Sequence, residues 1–170
     1  MRKRFKQFAT LVLLTLLGVG VSGCMDLTTP DPADEFPIDE VVFDPSLGID
    51  LDDFEETPNG IWIREDSPGM PPNAGPGTFV EVEFRGWLPS GEQFTETDPD
   101  ETFEFLLGGF NVLPGVQEGV DGMSVGQTRT VLIPPFLAYG RNPPQGIPEN
   151  SWLIFELTLI SVDGEGSGPT

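Results

Sequence analysis

Few side chains in this sequence can do chemistry: there is one tyrosine, Tyr139, one cysteine, Cys24, and no histidine. The missing histidine removes the Ser-His and Cys-His nucleophile pairs and argues against a zinc site. Asp50, Asp52 and Asp53 are spaced like calcium ligands, but no loop glycine or closing bidentate glutamate accompanies them, and no cofactor or metal is implied. That leaves Tyr139, in Leu137-Ala138-Tyr139-Gly140, after Ile133-Pro134-Pro135 and before a Gly/Pro-rich loop from Arg141 to Pro148. A phenol is an apolar ring carrying one hydroxyl. Such a residue is either a core tyrosine bonded to a nearby carbonyl or a polar handle offered to a ligand. Tyr139 alone leaves both readings open.

The elements that must hold this tyrosine read as a small α+β domain. Gly and Pro together make 21 + 18 = 39 residues, which favours a turn-rich β structure over a helical bundle. Gly60-Ile61-Trp62-Ile63 is a short strand candidate. From Thr78 to Trp87, Val80, Val82 and Phe84 alternate with Glu81, Glu83 and Arg85, the mark of a half-buried strand. Further strands are expected at 103–107, 127–133 and 153–159, with Leu153, Phe155, Leu157 and Leu159 facing inward. Residues 66–77 hold four prolines and three glycines and read as a loop. One short helix is expected over Leu113 to Val120. Pro114 suits a first helical turn, and Gly119 and Gly122 limit the helix to about two turns.

The N-terminal part has a different character. Arg2, Lys3, Arg4 and Lys6 precede an apolar stretch, Phe8 to Val21, too short for a comfortable membrane span. It ends in Val21-Ser22-Gly23-Cys24, similar to the bacterial lipobox, so residues 1–23 are expected to be a lipoprotein signal peptide. Cys24 is then the lipidated anchor of an exported protein on the cell envelope. Met25 after it, with no aspartate retention signal, leans toward the outer membrane. All 28 acidic residues follow Cys24 and four of the eight basic ones precede it, giving the remainder −20 − 4 = −24. Such a charge argues against nucleic-acid partners. Residues 24–56 hold twelve acidic residues and read as a mostly flexible tether. Ile38 to Leu51 has the apolar content (Val41, Val42, Phe43, Leu47, Ile49) to dock as an added strand. The main domain spans 57–162, and 163–170 is a polar, Gly-rich tail.

The motifs along 57–162 run in the order of one known family. They are Thr57-Pro58-Asn59-Gly60-Ile61, Val82-Glu83-Phe84-Arg85-Gly86-Trp87-Leu88, Gly91-Glu92-Gln93-Phe94 and Phe103-Glu104-Phe105-Leu106-Leu107-Gly108. Val112-Leu113-Pro114-Gly115-Val116-Gln117-Glu118-Gly119-Val120, Met123-Ser124-Val125-Gly126-Gln127, Ala138-Tyr139-Gly140, Gly146-Ile147-Pro148 and Leu153-Ile154-Phe155-Glu156-Leu157 follow. This series resembles the FKBP-type peptidyl-prolyl isomerases. The resemblance implies an antiparallel sheet of about five strands wrapped around one short helix. It also implies a proline-ring pocket made by Phe84, Phe94, Phe103, Val112, Leu113, Val116, Tyr139, Ile147 and Phe155, with Tyr139, Phe94 and Phe155 closest to the chemistry. The Tyr139 hydroxyl and the Leu113 N–H would hold substrate carbonyls.

The substrates so implied are proline-containing polypeptides. The prolyl bond turns over a barrier of about 18–20 kcal/mol, set by amide resonance. An apolar slot disfavours the planar, polar amide relative to the twisted form, so neither nucleophile nor metal is needed. The chain departs from the family pattern at Thr95 (often aspartate), Phe84 (often tyrosine), Val116 (tryptophan in the best-known members) and the loop bearing Pro143-Pro144. These changes are expected to weaken macrolide inhibitor binding more than turnover. The alternative is an FKBP-like binding or chaperone module with little or no catalysis.

Overall fold

The computed structural model describes residues 36–163. In chain order the elements are β1 (Glu55–Glu56), β2 (Trp62–Ser67), β3 (Met70–Asn73), β4 (Phe79–Trp87), β5 (Gln93–Glu96) and β6 (Phe103–Leu106). Helix α1 (Pro114–Val120), β7 (Ser124–Val125), β8 (Thr128–Ile133) and β9 (Leu153–Asp163) follow. The main sheet is antiparallel, in the order β1-β2-β8-β9-β4-β5, and β6 also pairs with β4. Strand β4 serves two partners on one edge: Phe79–Val82 face β6, and Arg85–Trp87 face β5. The five expected strands are present; of the four additional ones, β1 and β5 are short and lie at the main sheet's ends, and β3 and β7 form a separate two-stranded pair.

The sheet is apolar on both faces. On one, Val80, Val82, Val131, Ile133, Leu153, Phe155, Leu157 and Leu159 pack with Val116 and Val120 of α1. On the other, Leu132 and Ile154 alternate outward and meet Ile38, Phe54 and Trp152, with Val41, Phe43, Leu47, Ile49, Leu51, Trp62 and Trp87 around them.

This second core corrects the expectation of a mostly flexible tether up to residue 56. Residues 36–54 cross the sheet's outer face, and they do so as 3-10 turns rather than as an added strand. The turns are Ile38–Glu40, Pro45–Leu47 and Leu51–Asp53. Local chemistry favours turns here. Asp44 accepts the Ser46 N–H at 2.9 Å and Asp50 accepts the Asp52 N–H at 3.2 Å, so these aspartates cap turns instead of continuing a ladder. The bonds from Ser46 hold the Asp44 carboxyl below its ordinary pKa, the hydroxyl contributing most. The Trp152 indole N–H donates to the Phe36 carbonyl at 3.2 Å, and the Arg64 guanidinium lies 4.9 Å over the Phe54 ring.

A second correction concerns 66–77. Strand β2 runs to Ser67, and Met70–Asn73 pairs with β7. Pro71 and Pro72 have no N–H to give, so the pair is short and its register slips between Met70 and Asn73. Residues 1–23, expected from the sequence to be a signal peptide, and Cys24 lie outside the described residues, as do the residues after Asp163.

Phe54 is 7% exposed between arm and sheet. Phe54→Ala should lower unfolding free energy by about 3 kcal/mol in urea melts, the usual cost of such a truncation. All three tryptophans lie in this interface, so their fluorescence should shift to longer wavelength in a chain starting at residue 57. An unchanged melt and spectrum would mean that the arm is not packed in solution.

Candidate functional site: an aromatic cleft at the start of the helix

Helix α1 lies very close to the sheet. A Cβ on Gly115 would fall 2.2 Å from Ile133 Cγ2, and one on Gly119 would fall 2.9 Å from Val131 Cγ2. Both contacts are shorter than real carbon pairs allow, so these two glycines, one turn apart, set the distance between helix and β8. The helix is tied at several points. Glu118 accepts the Thr57 hydroxyl at 2.6 Å and the Asn59 amide at 3.1 Å, both from the β1–β2 turn. At its C-terminal end Arg129 of β8 donates to the carbonyls of Gly119 (3.1 Å) and Asp121 (3.0 Å), where a cation also suits the helix dipole.

At the other end, Pro114 opens the helix and Leu113 is its N-cap, with no side-chain cap. Gln117 organises the loop just before it. Its Oε1 accepts the Gly108 N–H at 2.9 Å, and its amide donates to the carbonyls of Gly109 (2.8 Å) and Val112 (3.1 Å). One side chain thus clamps the loop from both sides.

Between this loop, the helix start and the sheet is a cleft of about 440 Å³. Its wall contains Phe84, Phe103, Val112, Leu113, Val116, Tyr139 and Phe155, seven of the nine residues singled out in the sequence. Phe84 anchors the aromatic wall, edge-on to Phe103 at 5.8 Å and to Phe155 at 6.2 Å. Val116 is almost fully buried at the floor. None of the lining side chains is charged.

Phe94 and Ile147 do not line the cleft. Phe94 stands behind it, perpendicular to Phe155 at 5.6 Å, in space that a side chain at position 86 would take. A Cβ on Gly86 would meet Phe94 Cζ and Phe155 Cε1 at 3.0 Å. Ile147 is turned into the main core by the loop that bonds its N–H to Pro144 O. The sequence reading missed Phe110, Asn111, Pro114 and Val82 as wall residues; Thr95, singled out there as a departure from the family pattern, also lines the cleft. Val82 was readable from its alternation with Phe84. Phe110, between Gly109 and Asn111, carries no periodic signal. The clamp by Gln117 has none either.

Two polar groups at the cleft lack partners. Among the described residues no hydrogen bond reaches the Tyr139 hydroxyl, and the Leu113 N–H has no backbone acceptor. Tyr139 is part-exposed at the wall, so its hydroxyl is open to a ligand. Other recesses are chemically different. One of about 230 Å³ is lined by Glu83, Glu96, Asp98, Asp100 and Glu156 around Arg85, and one of about 620 Å³ by Asp53, Glu55, Glu56 and Glu65 with Arg129. Neither offers an apolar slot.

Residues 71–160, more than half of the chain, match the family model described as FKBP-type peptidyl-prolyl cis-trans isomerase. The chain belongs to this family. FK506-binding protein 4 of Mycosarcoma maydis is 39% identical over 105 residues, 62% of this chain and 28% of that protein. Peptidyl-prolyl cis-trans isomerase FKBP53 of Arabidopsis thaliana is 41% identical over 109 residues, again 62% of this chain and 23% of the relative. The chain thus spans only about a quarter of these curated relatives. Among solved structures, a peptidyl-prolyl cis-trans isomerase from Pseudomonas syringae is similar with a TM-score of 0.59 and 29% identity, covering 65% of this chain and 81% of that one. FkpA from Escherichia coli gives 0.60 and 27%, covering 72% and 56%. These likenesses agree with an FKBP-like sheet around a short helix.

Alanine in place of glycine in a helix ordinarily stabilises it by about 1 kcal/mol. Gly115→Ala should do the opposite here, destabilising by about 1–3 kcal/mol through overpacking on Ile133. A thermal melt showing a gain would mean that helix and sheet are not in this close contact.

Proposed function

We propose that this protein is a peptidyl-prolyl cis-trans isomerase acting on Xaa-Pro bonds of polypeptides. The observation that carries this reading is an uncharged aromatic cleft whose wall offers two unpartnered donors, the Tyr139 hydroxyl and the Leu113 N–H. A proline ring seats against Phe84, Phe155 and Val116, and the preceding amide enters a poorly polar environment. There the resonance form of the planar amide loses solvation, which lowers the barrier to the twisted state. Donors that hold the flanking carbonyls in the twisted geometry add stabilisation specific to the transition state. Uncatalysed isomerisation takes tens to hundreds of seconds, slow enough to limit folding, which gives such an activity its use.

Family membership and the relatives' names support the isomerase reading over a purely binding module. Phe84, Thr95 and Val116 in place of tyrosine, aspartate and tryptophan remove polar and aromatic contacts, so macrolide inhibitors should bind weakly. We also infer, from the sequence alone, that residues 1–23 direct export and that a lipid on Cys24 anchors the protein to the cell envelope, with the outer membrane favoured.

A protease-coupled assay with the full chain should show acceleration of a Leu-Pro peptide at micromolar enzyme. Tyr139→Phe should lower kcat/KM about ten-fold, the worth of one hydrogen bond of roughly 1.4 kcal/mol. No acceleration by the unmodified protein would leave only the binding module. Full activity of Tyr139→Phe would make the tyrosine mere wall. Palmitate labelling should be lost in Cys24→Ser, and a labelled variant would contradict the anchor.

A further inference from the structure

Phe110 lies on the wall of the cleft, yet its ring is fully exposed. The position is not slack. Gln117 holds Gly108 and Gly109 on one side of it and Val112 on the other, and Leu107 is bonded in both directions to the 77–78 segment. Only Phe110 and Asn111 lie between the clamped points. A large apolar ring is thereby presented to solvent on a braced loop, without the burial that ordinarily stabilises such a side chain. Phe103, on the same cleft, is 40% exposed. Together they extend the apolar wall outward past the pocket.

We propose that Phe110, on the same cleft as the half-exposed Phe103, is a second contact for the substrate chain, taking a bulky apolar side chain a few residues away from the proline. This rests on the isomerase reading for its substrate class. The surface is continuous with the proline cleft, and an extended chain advances about 3.3–3.6 Å per residue, so one that leaves the cleft passes over the adjoining ring. No charged side chain lines the cleft, which fits an uncharged apolar segment. Asp98, Asp100, Glu101 and Glu104 are exposed on the neighbouring β5–β6 connection and β6. With the net charge of −20 they disfavour an anionic membrane or a second copy of this chain as the occupant. The loop backbone is held on both sides of Phe110, so binding has to order the side chain and little of the backbone.

The test compares Phe110→Ala with the unmodified full chain on two substrates: a proline tetrapeptide, and a permanently unfolded polypeptide with leucine or phenylalanine near its prolines. The ratio of kcat/KM on polypeptide to that on tetrapeptide should fall about five- to ten-fold, mostly through KM. Phe110→Leu should restore most of it. Serine in place of the polypeptide's apolar residues should remove the difference between variants. An equal fall on both substrates, or none, overturns the proposal. So does a Phe110-dependent dimer or vesicle binding without the substrate effect. Direct titration of the unfolded polypeptide separates the two readings. Phe110-dependent binding without any turnover sinks the isomerase reading and upholds the second contact, whereas turnover with binding indifferent to Phe110 does the reverse.

Discussion

The close contact of helix α1 with β8 is the constraint on which the rest of the site depends. Gly115 and Gly119 permit it, since any side chain at either would collide with Ile133 or Val131. With the helix held there, its first turn meets the aromatic end of the sheet, and the gap between them is the cleft. Were the helix an ångström or two farther out, Val116 would no longer close the floor and the aromatic wall would face water. The ties at Glu118 and Arg129 fix the helix lengthwise, and Gln117 transmits that position to the loop. A helix of only seven residues has little stability of its own. Packing and these side-chain bonds supply what its propensity does not.

The sheet carries a second load on its other face. The acidic arm covers Leu132, Ile154 and the tryptophans, so the strands that hold Phe84 and Phe155 are packed from both sides. Aspartates 44 and 50 let a highly charged segment do this, because they spend their carboxylates on local turns while the apolar residues between them reach the sheet. Charge keeps the segment soluble, and spacing makes it structural.

Much of the fold was legible because its signals are periodic. Val80-Val82-Phe84 and Leu153-Phe155-Leu157-Leu159 announce which face is buried, and Pro114 marks where the helix starts. The arm's apolar residues mark it as able to dock, but its composition suggests disorder and no single period gives the form of the contact, which is a run of 3-10 turns and not a strand. Such residues gain their meaning only from the complementary stripe of Leu132 and Ile154 on distant strands. The site divides in the same way. Tyr139 and the paired Val112-Leu113 stand out by type and neighbourhood. Gln117 and Phe110 do not, since a glutamine on a helix and a phenylalanine between small residues are unremarkable until the loop is folded back on the helix.

The most direct test of the site is an amide-resolved NMR titration of the protein with an unlabelled Leu-Pro peptide. If the cleft holds the proline and the Leu113 N–H takes a substrate carbonyl, the Leu113 amide should move downfield, and the amides of Val112, Val116 and Tyr139 should shift with it. Shifts confined to the carboxylate-lined recess around Arg85, or a Leu113 amide that stays still at saturation, would contradict the assignment of this cleft as the place where the prolyl bond is turned.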